Sequence, residues 1–250
     1  MVTTGTAPAR ADVVSRTRLF AFYMTCALLG LVTAYDFVMH AFTFAAPHEI
    51  HVVVHEIVSA FVITIVVSQL VAPRSASAAA QALLVLFAGA WGLDALTLRF
   101  SGLGVVMALG LLAALLHPAR AQVVSFRGQL SPALAVLTVL GAIPLVPYIL
   151  AQATYQRQDF EPLHALLGHW EWAATWAALT LLFGALAALK TPGFRLVAWL
   201  TGLGALVFGA ASLAYPGEAS AAPGVWAGAA VIGGVAFIIA TEWESRRKLA

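Results

Sequence analysis

A run of histidines and carboxylates near residue 50 is the first part of this chain able to do chemistry. His48, His51 and His55 recur at three- and four-residue intervals, and Ser59 continues the series. At about 100° per residue these four share one face of a helix. Glu49 and Glu56, seven apart, form a second stripe roughly 80–100° round the same helix. Asp36 and His40 are four apart, so on a helix of their own a carboxylate stands beside an imidazole, where it can orient the ring or share an ion with it. His164 and Glu171 align at seven apart. His169 is rotated by about 140° from His164 unless Gly168 introduces a bulge. Asp94 stands alone in a third apolar stretch.

Imidazoles and carboxylates without thiolates are the ligand set of zinc, iron or copper(II), and the single cysteine, Cys26, leaves no thiolate site within one chain. The metal ligands expected from the pattern are His51, His55, His40, Asp36 and His164. Glu56 and Glu171 are the candidate catalytic bases, and Asp94, His48 and His169 are expected to surround and orient the ligands. Three protein ligands leave a position open for water, which makes a membrane metalloenzyme acting on a lipid-soluble or small-molecule substrate from the outer face the first reading. No His-Glu-x-x-His or Gly-x-Ser-x-Gly motif occurs; the glutamate follows the second histidine, His55, rather than the first. For Asp94 the competing role is a pair with Arg99, and for His48 and Glu49 it is hydration at the headgroups.

Haem is the first alternative, because two histidines at similar depth on facing helices supply both axial ligands. The run Gly168, His169, Trp170, Glu171, Trp172 through Trp176 resembles the tryptophan-rich motif of the haem-handling proteins of cytochrome c maturation. It lacks their aspartate and their long outer loop, so their function is not carried over. A metal-ion or proton-coupled transporter is the second alternative; it needs polar groups along a through path, and the inner halves of these helices offer only hydroxyls, Gln69 and Cys26.

The elements that must position these groups are membrane helices. The 250 residues are 62% hydrophobic and 10% charged, with a mean hydropathy of +0.92, far from the ~25% charged residues of a soluble domain. A net charge of +2 and a pI near 8.9 give no basic surface for nucleic acid. About eight apolar windows approach the roughly 20 residues that cross a bilayer: 19–44, 48–72, 77–98, 102–117, 130–154, 162–189, 194–215 and 222–243. The fold class is therefore an all-α, polytopic transmembrane bundle in a cell membrane, with the lipid bilayer as its partner.

Arg and Lys accumulate before the first window, in every second connection and at the chain end, which places both termini in the cytoplasm and the histidines in the outer leaflet. The N-terminus carries no short apolar core with a small-residue cleavage site and is expected to remain uncleaved. Pro47 and Pro162 open two windows that carry histidines just inside, which predicts a 4+4 parallel duplication within one membrane domain (1–250): a tail (1–18), two four-helix halves (19–128 and 129–243) and a second tail (244–250).

Overall fold

Where the backbone sits in lipid it must satisfy its own hydrogen bonds, and in windows this apolar only helices do so within one segment. A computed structural model describes residues 7–43, 49–74, 77–97, 103–158 and 168–246, and among them regular structure is helical throughout. The helices are α1 (Ala7–Thr43), α2 (Glu49–Val71), α3 (Ser77–Thr97), α4 (Leu103–Leu116), the short α5 (Arg120–Val123), α6 (Pro132–Gln158), α7 (His169–Ala188), α8 (Phe194–Ala214) and α9 (Gly224–Arg246). Seven are long and apolar enough to cross a membrane.

The eighth expected crossing is α4, which has 14 residues. At 1.5 Å per residue it measures about 21 Å, less than a ~30 Å hydrocarbon core. A second departure concerns the window 162–189, whose helix starts at His169. Gly168 is in the left-handed region (φ 66°), which ends any continuous helical path into α7.

Interhelical bonds give the bundle two distinct ends. At one, Phe22 meets the edge of His117, His117 Nε2 lies 3.0 Å from Gln69 Oε1, and the Ala78 amide donates to Pro192 O. The Ser131 amide donates to Ala188 O there, and Lys190 Nζ is 2.6 Å from Glu244 Oε2. This end therefore gathers the starts of α1, α3, α6 and α8 with the ends of α2, α4, α7 and α9, an up-and-down alternation. Arg16, Arg18, Arg74, Arg120, Arg127, Arg195 and Arg246 belong to it with Lys190. We call it the basic end. The opposite end carries His40, His51, His55 and His169 and, of the described Lys and Arg residues, Arg157, while His117 lies at the basic end.

Core residues such as Leu29, Ile65, Leu83, Leu179 and Phe183 are fully buried, while α6 turns Val136, Val139, Leu140, Ile143 and Leu150 outward. That spacing is a helical stripe, and in a chain of this hydropathy its solvent is lipid. Helices α8 and α9 approach each other closely. A Cβ on Gly234 would stand 2.5 Å from Gly202 O and 2.8 Å from Leu206 N, and one on Gly202 would stand 2.9 Å from Gly234 O. Both obstacles are backbone, so neither can swing aside. Gly234→Val is expected to lower the melting temperature in detergent through about 1–3 kcal/mol of overpacking. Its neighbour Gly233, with open space at its Cβ position, should accept alanine without loss; equal melting temperatures for the two variants would refute the seam.

Candidate functional site at the histidine end

His51, His55 and Ser59 lie one turn apart on α2 and are buried together, at 6%, 1% and 1% exposure, as their spacing predicts. They nevertheless join two different networks. His55 faces α1. Its Nε2 is 2.8 Å from Asp36 Oδ2, and the His40 ring lies flat on its own, with centroids 3.7 Å apart and planes inclined by 13°. The Trp172 ring from α7 also packs on His55, with centroids 4.4 Å apart and planes inclined by 68°.

With Asp36 as acceptor, we assign the imidazole proton to Nε2, which leaves the lone pair on Nδ1. That atom lies 3.5 Å from Glu56 Oε1. His55 Nδ1 and both Glu56 oxygens are shut off from the surface without a hydrogen-bond partner. The Asp36 side chain is 47% exposed, so the network begins on the flank of the bundle and runs inward.

His51 faces the other way. Its Nε2 donates to Ser220 Oγ at 2.7 Å, and that hydroxyl donates to Gln152 Oε1 at 3.0 Å. Tyr148 Oη fixes the loop by donating to Ser220 O. The His51 ring stacks on His169, with centroids 5.0 Å apart and planes at 27°, and meets the edge of Trp170. Glu171 is buried beside them, its amide donating to Gln156 Oε1 at 3.2 Å.

The expected ligands are thus split. Asp36 and His40 meet His55, while His51 meets His169; Asp94 is buried near the end of α3, where Thr97 donates to its carbonyl oxygen. Among the described residues no three His, Cys, Asp or Glu side chains are placed to hold one metal ion. The reason is visible in the rings: stacked imidazoles keep their nitrogen lone pairs in separate parallel planes, whereas a shared ion must lie in both. His48 and His164 fall outside the described residues.

The sequence reading missed Tyr148, Gln152, Gln156, Ser220 and Glu218. Gln152 and Gln156, four apart near the end of an otherwise apolar helix, were a usable signal. Ser220 and Glu218 sit in the loop between α8 and α9, where nothing in the local pattern marks them.

Glu218 closes this end. Its carboxyl oxygens accept the Glu49 and Ile50 amides at 2.9 and 3.0 Å, filling donors that the first turn of α2 cannot satisfy itself. Loss of water, followed by the adjoining Glu49 carboxyl, holds its pKa above the usual glutamate range. A raised carboxyl keeps in the fold a proton that the unfolded chain releases. The contact is therefore firmest below the ordinary glutamate pKa and weakens as pH rises through the raised value. Amide exchange at Glu49 and Ile50, corrected for the intrinsic rate, should slow on acidification, and Glu218→Gln should abolish that dependence. A wild-type profile with the opposite slope would rule the assignment out.

The fold and site define a helical bundle of multi-pass membrane type with a buried histidine–carboxylate network at one end. No protein-family model, curated protein or solved structure matches this chain.

Proposed function

We propose that this protein binds a transition-metal ion at its histidine end, with His55 Nδ1 and Glu56 as two of the ligands. One observation carries the reading: two buried donor atoms without hydrogen-bond partners stand 3.5 Å apart, beside an imidazole whose other nitrogen is held by a carboxylate. Metal–ligand bonds of about 2.0–2.2 Å at a tetrahedral ion put neighbouring donor atoms about 3.3–3.5 Å apart, so this bite suits zinc, iron or copper. A carboxylate on the far nitrogen is the arrangement that orients a metal-bound histidine. Asp36 therefore orients rather than ligates, and Glu56 ligates rather than serving as a base.

His164 is the third ligand in this proposal, on sequence grounds: it precedes α7, whose first residues already stand against His51 on α2. Glu171 stays as the candidate base. The positive-inside rule applied to the basic end makes that end cytoplasmic and opens the site to the outer side of a cell membrane. A lipid-soluble or small substrate would reach it past Asp36. The 4+4 duplication belongs to the same proposal, with α2 and α7 as equivalents meeting across the bundle.

Haem takes second place. His51 and His169 come from facing helices, but their rings stack 5.0 Å apart, which leaves no room for a macrocycle between opposed nitrogens. Transport ranks below both, because the residues buried on α2 between Ser59 and Gln69, namely Phe61, Val62, Ile65 and Val66, are all apolar, and the hydroxyls of that stretch, Thr64 and Ser68, are only partly buried. Elemental analysis and an optical spectrum of the purified protein test the reading. Stoichiometric zinc, iron or copper without a Soret band is the expected result. A Soret band would move the assignment to haem, and protein that takes up none of the three metals on titration would end it.

A further inference from the structure

A common habit of hydroxyls inside these helices is a bond back to a carbonyl of the same helix, as Ser68, Thr97 and Ser245 make three residues back. Thr25, Thr33, Thr138, Thr154, Thr180, Thr201 and Thr241 each donate to the carbonyl four residues back, which satisfies a hydroxyl in an apolar setting. Thr175 and Ser59 break it. Both are 1% exposed, and neither hydroxyl oxygen has a hydrogen-bond partner. They come from different helices, α7 and α2, and line the same cavity, together with Asp36, Thr33, Met107 and Trp172. Two hydroxyls that forgo the bond available on their own helices, at one void, imply a shared guest.

The size of the void selects that guest. It measures about 10 Å³, at the lower edge of the roughly 10–15 Å³ that one buried water occupies. A buried water makes about three hydrogen bonds and needs two to four polar partners; the lining offers two hydroxyl donors and one carboxylate acceptor. A sodium ion would need about six oxygens at 2.3–2.5 Å, a demand close to that of calcium, and this lining cannot meet it.

We propose that a single structural water sits in this cavity, accepting hydrogen bonds from Ser59 Oγ and Thr175 Oγ1 and donating one to the Asp36 carboxylate. It links α2, α7 and α1 at one point. It also holds the carboxylate that orients His55, so it supports the site from beneath whether or not a metal is bound there.

Paired substitutions in the full-length protein test this, with thermal unfolding in detergent as the readout. Burying a hydroxyl without a partner is unfavourable, so in a dry cavity Ser59→Ala and Thr175→Val should each leave the melting temperature unchanged or raise it. With a bound water, each should lower it by a few degrees, and the double variant should lose less than the sum, because the second removal takes away a water already gone. Thr180→Val, at a threonine bonded to its own helix, should add to Ser59→Ala without coupling. Additive losses for the Ser59 and Thr175 pair, or no loss, would overturn the proposal.

Water-edited solid-state NMR of the unsubstituted protein gives a second readout that survives misfolding of any variant. Polarisation transfer from water to the Thr175 side chain is expected, and its absence would be fatal. A melting temperature that rises with sodium but not with choline would assign the cavity to a cation and also overturn the water.

Discussion

Replacement of His55 by alanine is expected to lower bound metal at least tenfold, measured by elemental analysis against protein concentration. The residue supplies a donor atom that no other described side chain can replace, because His40 presents a ring face there and His51 points into the loop that carries Ser220. Glu56→Gln should cost a similar factor, since the amide keeps the size but loses the charge that stabilises a cation. Asp36→Asn acts through His55, leaving a ligand but loosening its orientation, and should reduce affinity by about 10–100-fold. If His55→Ala retains full occupancy while Asp36→Asn does not, the ion sits elsewhere. If neither changes it, the proposed centre is wrong.

The second large effect lies at the basic end. Lys190 and Glu244 pair at 2.6 Å with side chains only 6% and 10% exposed, and Ser131 Oγ donates to the second carboxylate oxygen. Lys190 takes a positive φ of 49° at the turn between α7 and α8, a conformation retained by a non-glycine residue only where its surroundings dictate it. Glu244→Ala would strand the buried ammonium, and losses of about 3–5 kcal/mol follow from breaking such a pair. For a chain of this size that is a fall on the order of ten degrees in melting temperature. The double variant Lys190→Met, Glu244→Leu removes both charges and should recover much of the loss. A Glu244→Ala protein that melts with the wild type would show that the pair is hydrated and stabilises nothing.

The helices were legible because lipid imposes a composition: six of the eight predicted windows match their helices to within four residues at each end. The two exceptions are the first window, whose helix α1 already starts at Ala7 rather than at 19, and 162–189, whose helix starts only at His169. Helix α4 matches its window 102–117 in its bounds and departs only in being too short to cross. Apolar composition marks a segment as buried but does not set its length, so the short α4 was read as a full crossing. The glycine at 168 looked like an interruption to be absorbed by a bulge, whereas its left-handed backbone ends the helix outright.

At the site, the period of 3.6 residues placed His51, His55 and Ser59 on one buried face. It said nothing about which neighbour each would meet. Whether two imidazoles converge on an ion or lie flat against each other depends on ring rotation and on the spacing between helices, neither of which leaves a mark in the linear pattern. Partners such as Ser220 and Glu218, some 169 residues away from His51 and Glu49, are set by how the last hairpin folds back.

That distance has a consequence for biogenesis. Helix α2 leaves the ribosome early, yet its first amides and His51 find their acceptors only when the hairpin of α8 and α9 has been threaded into the bilayer. The early helices must therefore wait in the membrane with this end incomplete, and a polypeptide interrupted before residue 215 would insert without ever closing it.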